Sequence, residues 1–180
     1  DTHGYGEART ATAPGLPAGW TVIGKPDFDQ FVAVSIQAGD SLIVAGNFST
    51  YPGGKTSSIA RWDGARWWPL GGGISGLVTA MAWDEATRRL YVGGAFARAG
   101  DTPARNIAVW DGTVWAEVGG GTNGGVDALV WDAAAGRLFV GGGYTEAGGQ
   151  AISRIASWDG VQWSPLGAGV DDAVADLAWD

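Results

Sequence analysis

The chain contains no cysteine, one histidine (His3) and one methionine. Without cysteine there are no disulfides, no thiolate metal ligands and no cysteine nucleophile. A lone histidine near the N-terminus makes a poor catalytic base, and no Ser-His-Asp set is credible, because a nucleophile needs a positioned base. Positive charge is also scarce. Eleven Lys and Arg stand against 19 Asp and Glu, for a net charge of −8 and a pI of about 4.4. The basic residues are scattered, whereas nucleic-acid binding needs them clustered to displace counterions, so that class is excluded. No run approaches the roughly 20 apolar residues of a membrane-spanning helix, so no transmembrane segment is expected. A sustained helical period is absent throughout, and no cofactor is implied.

Glycine (32 residues) and tryptophan (11) are abundant, and both fall in register. IARWDG at 59–64 recurs as IAVWDG at 107–112 and IASWDG at 155–160, an interval of 48 residues each time. WWPLG at 67–71, WAEVG at 115–119 and WSPLG at 163–167 follow the same interval, and WTVIG at 20–24 fits that slot one residue out of step. LYVGGAF at 90–96 matches LFVGGGY at 138–144, with LIVAGNF at 42–48 a degenerate copy. VTAMAWD at 78–84, VDALVWD at 126–132 and VADLAWD at 174–180 complete the unit. Each unit therefore holds four short apolar runs, called here a (VxxLxW), b (LYVGGxF), c (IAxWDG) and d (WxxLG). They have strand length and strand composition. The Asp-Gly steps at 63–64, 111–112 and 159–160 are hairpin signals between c and d.

A repeated four-stranded antiparallel meander of this period predicts an all-β fold, a β-propeller of four-stranded blades with a repeat of about 48 residues. Run a supports blades over a sandwich, because it is apolar on both faces: Val78, Ala80 and Ala82 on one, Met81 and Trp83 on the other. The Gly93-Gly94 and Gly141-Gly142 doublets fit close backbone approach.

LYVGG followed by an aromatic, then IAxWDG and WxxLG, is similar to kelch-type and galactose-oxidase-like propeller repeats. The resemblance runs from about residue 20 to 180, and it extends to bacterial secreted or surface propellers and to extracellular cell-polarity marker propellers. The gap from Trp110 to Trp115 is shorter than the standard kelch pattern. The resemblance implies an extracellular, cell-surface or periplasmic location. The copper site of the oxidases has no counterpart here, since its His and Cys are missing.

Residues 1–19 read as an arm or linker, and 20–180 as propeller repeats ending partway through a blade. The run of strands predicted is d at 20–24, then abcd three times, then a at 174–179. A partial ring or a segment of a larger propeller is expected, completed by remaining blades or by a protein partner through strand addition. Asp1 at the start, with no signal-peptide pattern, is expected of a processed or partial chain.

The functional expectation is a non-enzymatic scaffold or protein-interaction module, such as a subunit of an extracellular assembly. The alternative is a lectin binding glycans at one shallow Trp/Asp site per blade: Trp83 with Asp84, Trp131 with Asp132, and Trp179 with Asp180. A glycoside hydrolase fragment stands third, because acidic residues are plentiful. The Trp62/Trp110/Trp158 and Trp67/Trp115/Trp163 sets read as inter-blade packing. Asp63, Asp111 and Asp159 read as turn residues, and no metal site is expected. Asp171, Asp172 and Asp176 read as a solvated edge, and Asn47-Phe48-Ser49 matches a glycosylation acceptor.

Overall fold

A computed structural model describes residues 28–51 and 53–178. The expected arm (1–19), the strand expected at 20–24, and Trp179 with Asp180 lie outside the described residues. Three four-stranded antiparallel sheets follow one another along the chain. Blade 1 comprises β1 (Phe31–Ala38), β2 (Ser41–Asn47), β5 (Ile59–Trp62) and β6 (Trp67–Pro69), and its b–c connection carries the small hairpin β3 (Thr50–Tyr51) and β4 (Gly54–Lys55). Blade 2 comprises β7 (Ile74–Asp84), β8 (Arg89–Ala99), β10 (Ile107–Trp110) and β11 (Trp115–Glu117), with β9 (Thr102–Pro103) paired to the end of β8. Blade 3 comprises β12 (Val126–Asp132), β13 (Arg137–Gly142), β16 (Ile155–Trp158) and β17 (Trp163–Pro165), with the hairpin β14 (Glu146–Ala147) and β15 (Gln150–Ala151). Strand order in every blade is a-b-c-d, and the a strands of successive blades pack on one another.

Two of the three buried clusters lie between blades, and the third is Val44, Phe48, Ala60 and Trp67 of blade 1 with Phe28 packed on them. Ile43, Ala45 and Ile59 of blade 1 share a cluster with Val78, Met81, Leu90 and Val92 of blade 2. Ala80, Ala82 and Tyr91, from the opposite face of blade 2, share the next cluster with Val126, Leu129, Leu138 and Val140 of blade 3. One expectation is corrected here. Val78 lies on the face of Met81 and Trp83, not of Ala80 and Ala82. The register shifts between Val78 and Ala80, so Thr79 is an extra residue that switches the alternation by one. Corresponding shifts fall between Val32 and Val34 and between Val126 and Ala128. Freed from the ladder, the Thr79 hydroxyl donates to the Val126 carbonyl of the next blade at 2.7 Å.

The glycine doublets separate into two roles. The first position faces the neighbouring blade: a Cβ at Gly93 would lie 2.5 Å from Cγ1 of Val126. The second faces the bulge of its own blade, where a Cβ at Gly94 or Gly142 would collide with the carbonyl of Leu77 or Gly125. Blade 1 has Ala45 at the first position and keeps Gly46 at the second, where the Phe31 carbonyl leaves no space. The aromatic that follows, Phe48, Phe96 or Tyr144, is buried in each blade, and the Tyr144 hydroxyl donates to its own strand at Val140 O (2.7 Å).

The WxxLG motif is explained by a directional contact. The glycine after strand d of one blade seats beneath the paired tryptophans of the next: Gly71 under Trp110 and Trp115, Gly119 under Trp158 and Trp163. Each pair is tilted, with centroids 5.2 Å and 5.3 Å apart. Trp163 Nε1 donates to the Gly119 carbonyl at 3.0 Å, whereas Trp115 Nε1 is buried without an acceptor.

The last expected strand, at 174–179, is not a strand over its described residues. Val174 and Leu177 nevertheless stand at Gly141 as Val126 and Leu129 stand at Gly93, with Val174 Cγ1 2.6 Å from where a Gly141 Cβ would be. The segment is positioned by side-chain packing on blade 3 and by one backbone bond, from Val174 N–H to the Gly142 carbonyl at 3.3 Å. It lacks the ladder because a b strand pairs with strand a in each blade, and among the described residues none pairs with 174–178.

Gly142→Ala is expected to destabilise the fold by about 1–3 kcal/mol in urea unfolding, because a backbone carbonyl blocks the added methyl. Gly143→Ala, at a position with open space and Ala95 as its blade 2 counterpart, is expected to be neutral or to stabilise by up to about 1 kcal/mol. Trp163→Phe should cost about 1 kcal/mol more than Trp115→Phe, since only Trp163 loses a hydrogen bond.

Candidate functional site

The a–b and c–d turns emerge at the same end of each sheet, because strands a and c run in the same direction in an antiparallel meander. A row of paired residues marks that end. Trp83, Leu90, Trp110 and Trp115 are cross-strand partners in blade 2, and Trp131, Leu138, Trp158 and Trp163 in blade 3. Blade 1 has Gln37, Leu42, Trp62 and Trp67. The face formed by these turns is the candidate site.

The c–d turns share one frame. Asp63, Asp111 and Asp159 each accept, through Oδ1, the backbone N–H groups two and three residues ahead, at 2.8–2.9 Å. Gly64, Gly112 and Gly160 follow with φ of 97°, 101° and 95°, a conformation that side chains avoid. These three carboxylates, exposed at Asp63 and Asp111 and partly exposed at Asp159, are all held below the ordinary range. For Asp63 the indole N–H of Trp68, at 2.6 Å from Oδ2, is the main cause, with the turn N–H groups next, and the value falls to about 2. For Asp111 and Asp159 the turn N–H groups dominate. Trp68 is thus half-buried on its own turn, with the Arg66 guanidinium 4.0 Å above its ring. On this common frame the turn tips differ: Ala65-Arg66, Thr113-Val114 and Val161-Gln162. Val114 (59 % exposed) and Val161 (85 %) point apolar groups into solvent.

The a–b turns hold the Trp-Asp pairs. Asp84 and Asp132 are buried. The Asp84 carboxylate accepts from the backbone of Ala86 (3.0 Å) and Thr87 (3.3 Å) and from the Thr87 hydroxyl. That of Asp132 accepts from Ala134 (2.9 Å) and Ala135 (3.0 Å). The two tryptophans are not equivalent. Tyr91 stacks on Trp131 at 5.5 Å and 15°. Trp83 packs on the cluster that includes Ile43, its indole N–H held by Glu85, and lines a cleft of about 440 Å³ between blades 1 and 2. Arg61, Arg88 and Trp110 share this cleft, which single residues of the repeat motifs did not reveal. The signal was present as departures from the repeat: positions 48 residues beyond Arg61, Arg88 and Ile43 hold Val109, Gly136 and Tyr91.

At the opposite end of the sheets, Asp29 clamps the b–c hairpin of blade 1. Its carboxylate accepts the Ser49 hydroxyl (2.5 Å) and the N–H groups of Ser49 (2.8 Å) and Thr50 (3.0 Å), with the Ser49 hydroxyl the main cause holding it at about 2. Asn47, first residue of the glycosylation sequence, is exposed with its amide on Gln30. Asp171, Asp172 and Asp176 are exposed. No helix among the described residues is long and apolar enough to cross a membrane.

No protein-family model matches the chain, and no curated protein is similar to it. Among solved structures the chain is similar to that of U3-55K, with a TM-score of 0.50 and 16 % sequence identity. The match covers 81 % of this chain and 41 % of that one, so the chain spans less than half of its length. At this identity the likeness concerns the fold alone. Together with the sheets it makes the chain an all-β protein of the β-propeller class, built of four-stranded antiparallel blades.

A carboxylate whose folded pKa lies below its unfolded value of about 3.9 contributes stability that is full above that value and lost as pH falls through the folded one. The melting temperature should therefore fall as pH drops from about 4 toward 2, in the window set by Asp29 and Asp63. Calorimetry of a combined Asp29→Asn and Asp63→Asn variant should show a lower melting temperature at neutral pH and a shallower decline on acidification.

Proposed function

We propose that this chain is a non-enzymatic protein-interaction module, located outside the cytoplasm, that binds partners with the face carrying the c–d turns. One observation carries the reading: aspartate-locked turns of fixed geometry present tips that change from blade to blade, with Val114 and Val161 exposed. Rigid frames with variable tips suit recognition, because the binding residues lose little entropy on complex formation. Support for an extracellular, cell-surface or periplasmic location comes from the likeness of the repeats to secreted propellers.

The lectin alternative is favoured at one position only. Trp83 borders an open cleft, whereas Tyr91 covers Trp131, and the aspartates beside both are committed to their turns.

The test is size-exclusion chromatography of the tagged protein from the cells that produce it, paired with a glycan array. The wild-type chain is expected in an assembly well above its 18.5 kDa, and Val114→Asp with Val161→Asp should release it without changing its melting temperature. Array binding that disappears in Trp83→Ala would favour the lectin instead. Elution at the mass of the free chain in both proteins would overturn the interaction reading.

A further inference from the structure

A cleft opens between blades 1 and 2, and several of its residues break the repeat. Ile43 and Trp83 both line the cleft, whereas at the corresponding positions of the next junction Tyr91 stacks on Trp131, so the smaller side chain goes with an indole left at the cleft. Two guanidinium groups line the same space, Arg61 from strand c of blade 1 and Arg88 from the a–b turn of blade 2. Arg88 reaches across the junction, its Nη2 only 3.1 Å from where a Cβ on Gly39 would sit.

Among the described residues neither arginine has a carboxylate within ion-pair distance; the pair found there joins Arg105 and Glu117. Arg61 has only a long contact to the Ser41 hydroxyl at 3.5 Å. The one acid lining the cleft, Asp111, uses its Oδ1 for three hydrogen bonds within its own turn. Arg88 also adopts φ 54°, where blade 3 uses Gly136 at φ 62°. A long cationic side chain kept in a left-handed conformation that glycine would occupy without strain points to a role for the guanidinium.

We propose that this cleft binds a small ring-bearing carboxylate, its carboxylate held by Arg61 and Arg88 and its ring against Trp83 and Trp110. Guanidinium groups pair with carboxylates through parallel N–H bonds, and indoles offer flat apolar faces. The cleft volume falls in the range of small-molecule sites and suits a single ring with its acid group. A sugar acid and an aromatic acid both carry this chemistry. Val114 and Val161 do not line the cleft, although Asp111 and Gly112 of the Val114 turn do, and the two readings are told apart by their variants: Arg61→Gln and Arg88→Gly report on the cleft, Val114→Asp and Val161→Asp on the partner face.

The test is titration of the protein with galacturonate, benzoate and neutral galactose, read from the indole N–H signals in NMR spectra. Saturable binding of at least one acid is expected, weakened by salt and at least about tenfold tighter than galactose. Binding of galacturonate alone identifies a sugar-acid site, and binding of benzoate alone an aromatic-acid site. Arg61→Gln and Arg88→Gly should each weaken binding about tenfold or more, with Arg88→Gly melting no lower than wild type. Ile43→Tyr, which copies the residue tolerated at position 91, should abolish binding in a folded protein. Absence of saturable binding by either acid up to about 10 mM would overturn the proposal, as would undiminished binding in the arginine variants.

Discussion

The distance at which one sheet can approach the next governs this structure. The blades are small, and two of the three buried clusters lie in the seams between them, the third covering a face of blade 1. Glycine sets those seams. Gly93 admits Val126, Gly71 admits Trp110 and Trp115, and Gly119 admits Trp158 and Trp163. Each tryptophan brings about 150–250 Å² of side chain to the seam, which a methyl group on the facing glycine would hold off. Two conditions that look separate in the sequence, abundant glycine and abundant tryptophan, are the two halves of one contact.

Part of this was legible in the residues and part was not. Strands b, c and d could be placed from IAxWDG, LYVGG and WxxLG because each motif couples a strand pattern to a turn residue that the backbone requires. The phase of strand a could not. A bulge at Thr79 adds one residue without leaving a mark in composition, and so moves Val78 to the other face. The segment after Asp172 carries the side-chain pattern of strand a and packs accordingly, but pattern alone does not supply a ladder partner. Asp84 and Asp132 were read as candidate ligands beside tryptophan, while their burial and their bonds to the following N–H groups make them turn-formers. Type and spacing alone do not show the turn role, which appears only in the position of the next two amides.

The cleft was hidden for a different reason. A repeat draws attention to what recurs, and recurrence here reports packing. Ile43, Arg61 and Arg88 recur in no other copy, so they carry no weight in a motif. Once the recurring residues are assigned to seams and turns, the exceptions are what remain available for chemistry specific to this chain.

The seating of tryptophans over glycine also gives the stack a direction. At both described seams the glycine after strand d of one blade meets the indoles of strands c and d of the following blade, so the two sides of such a seam differ. A surface of this kind cannot be complementary to itself. Two copies of the chain meeting through it would have to join head to tail, as consecutive units of a ring or a filament, and could not form a two-fold symmetric pair.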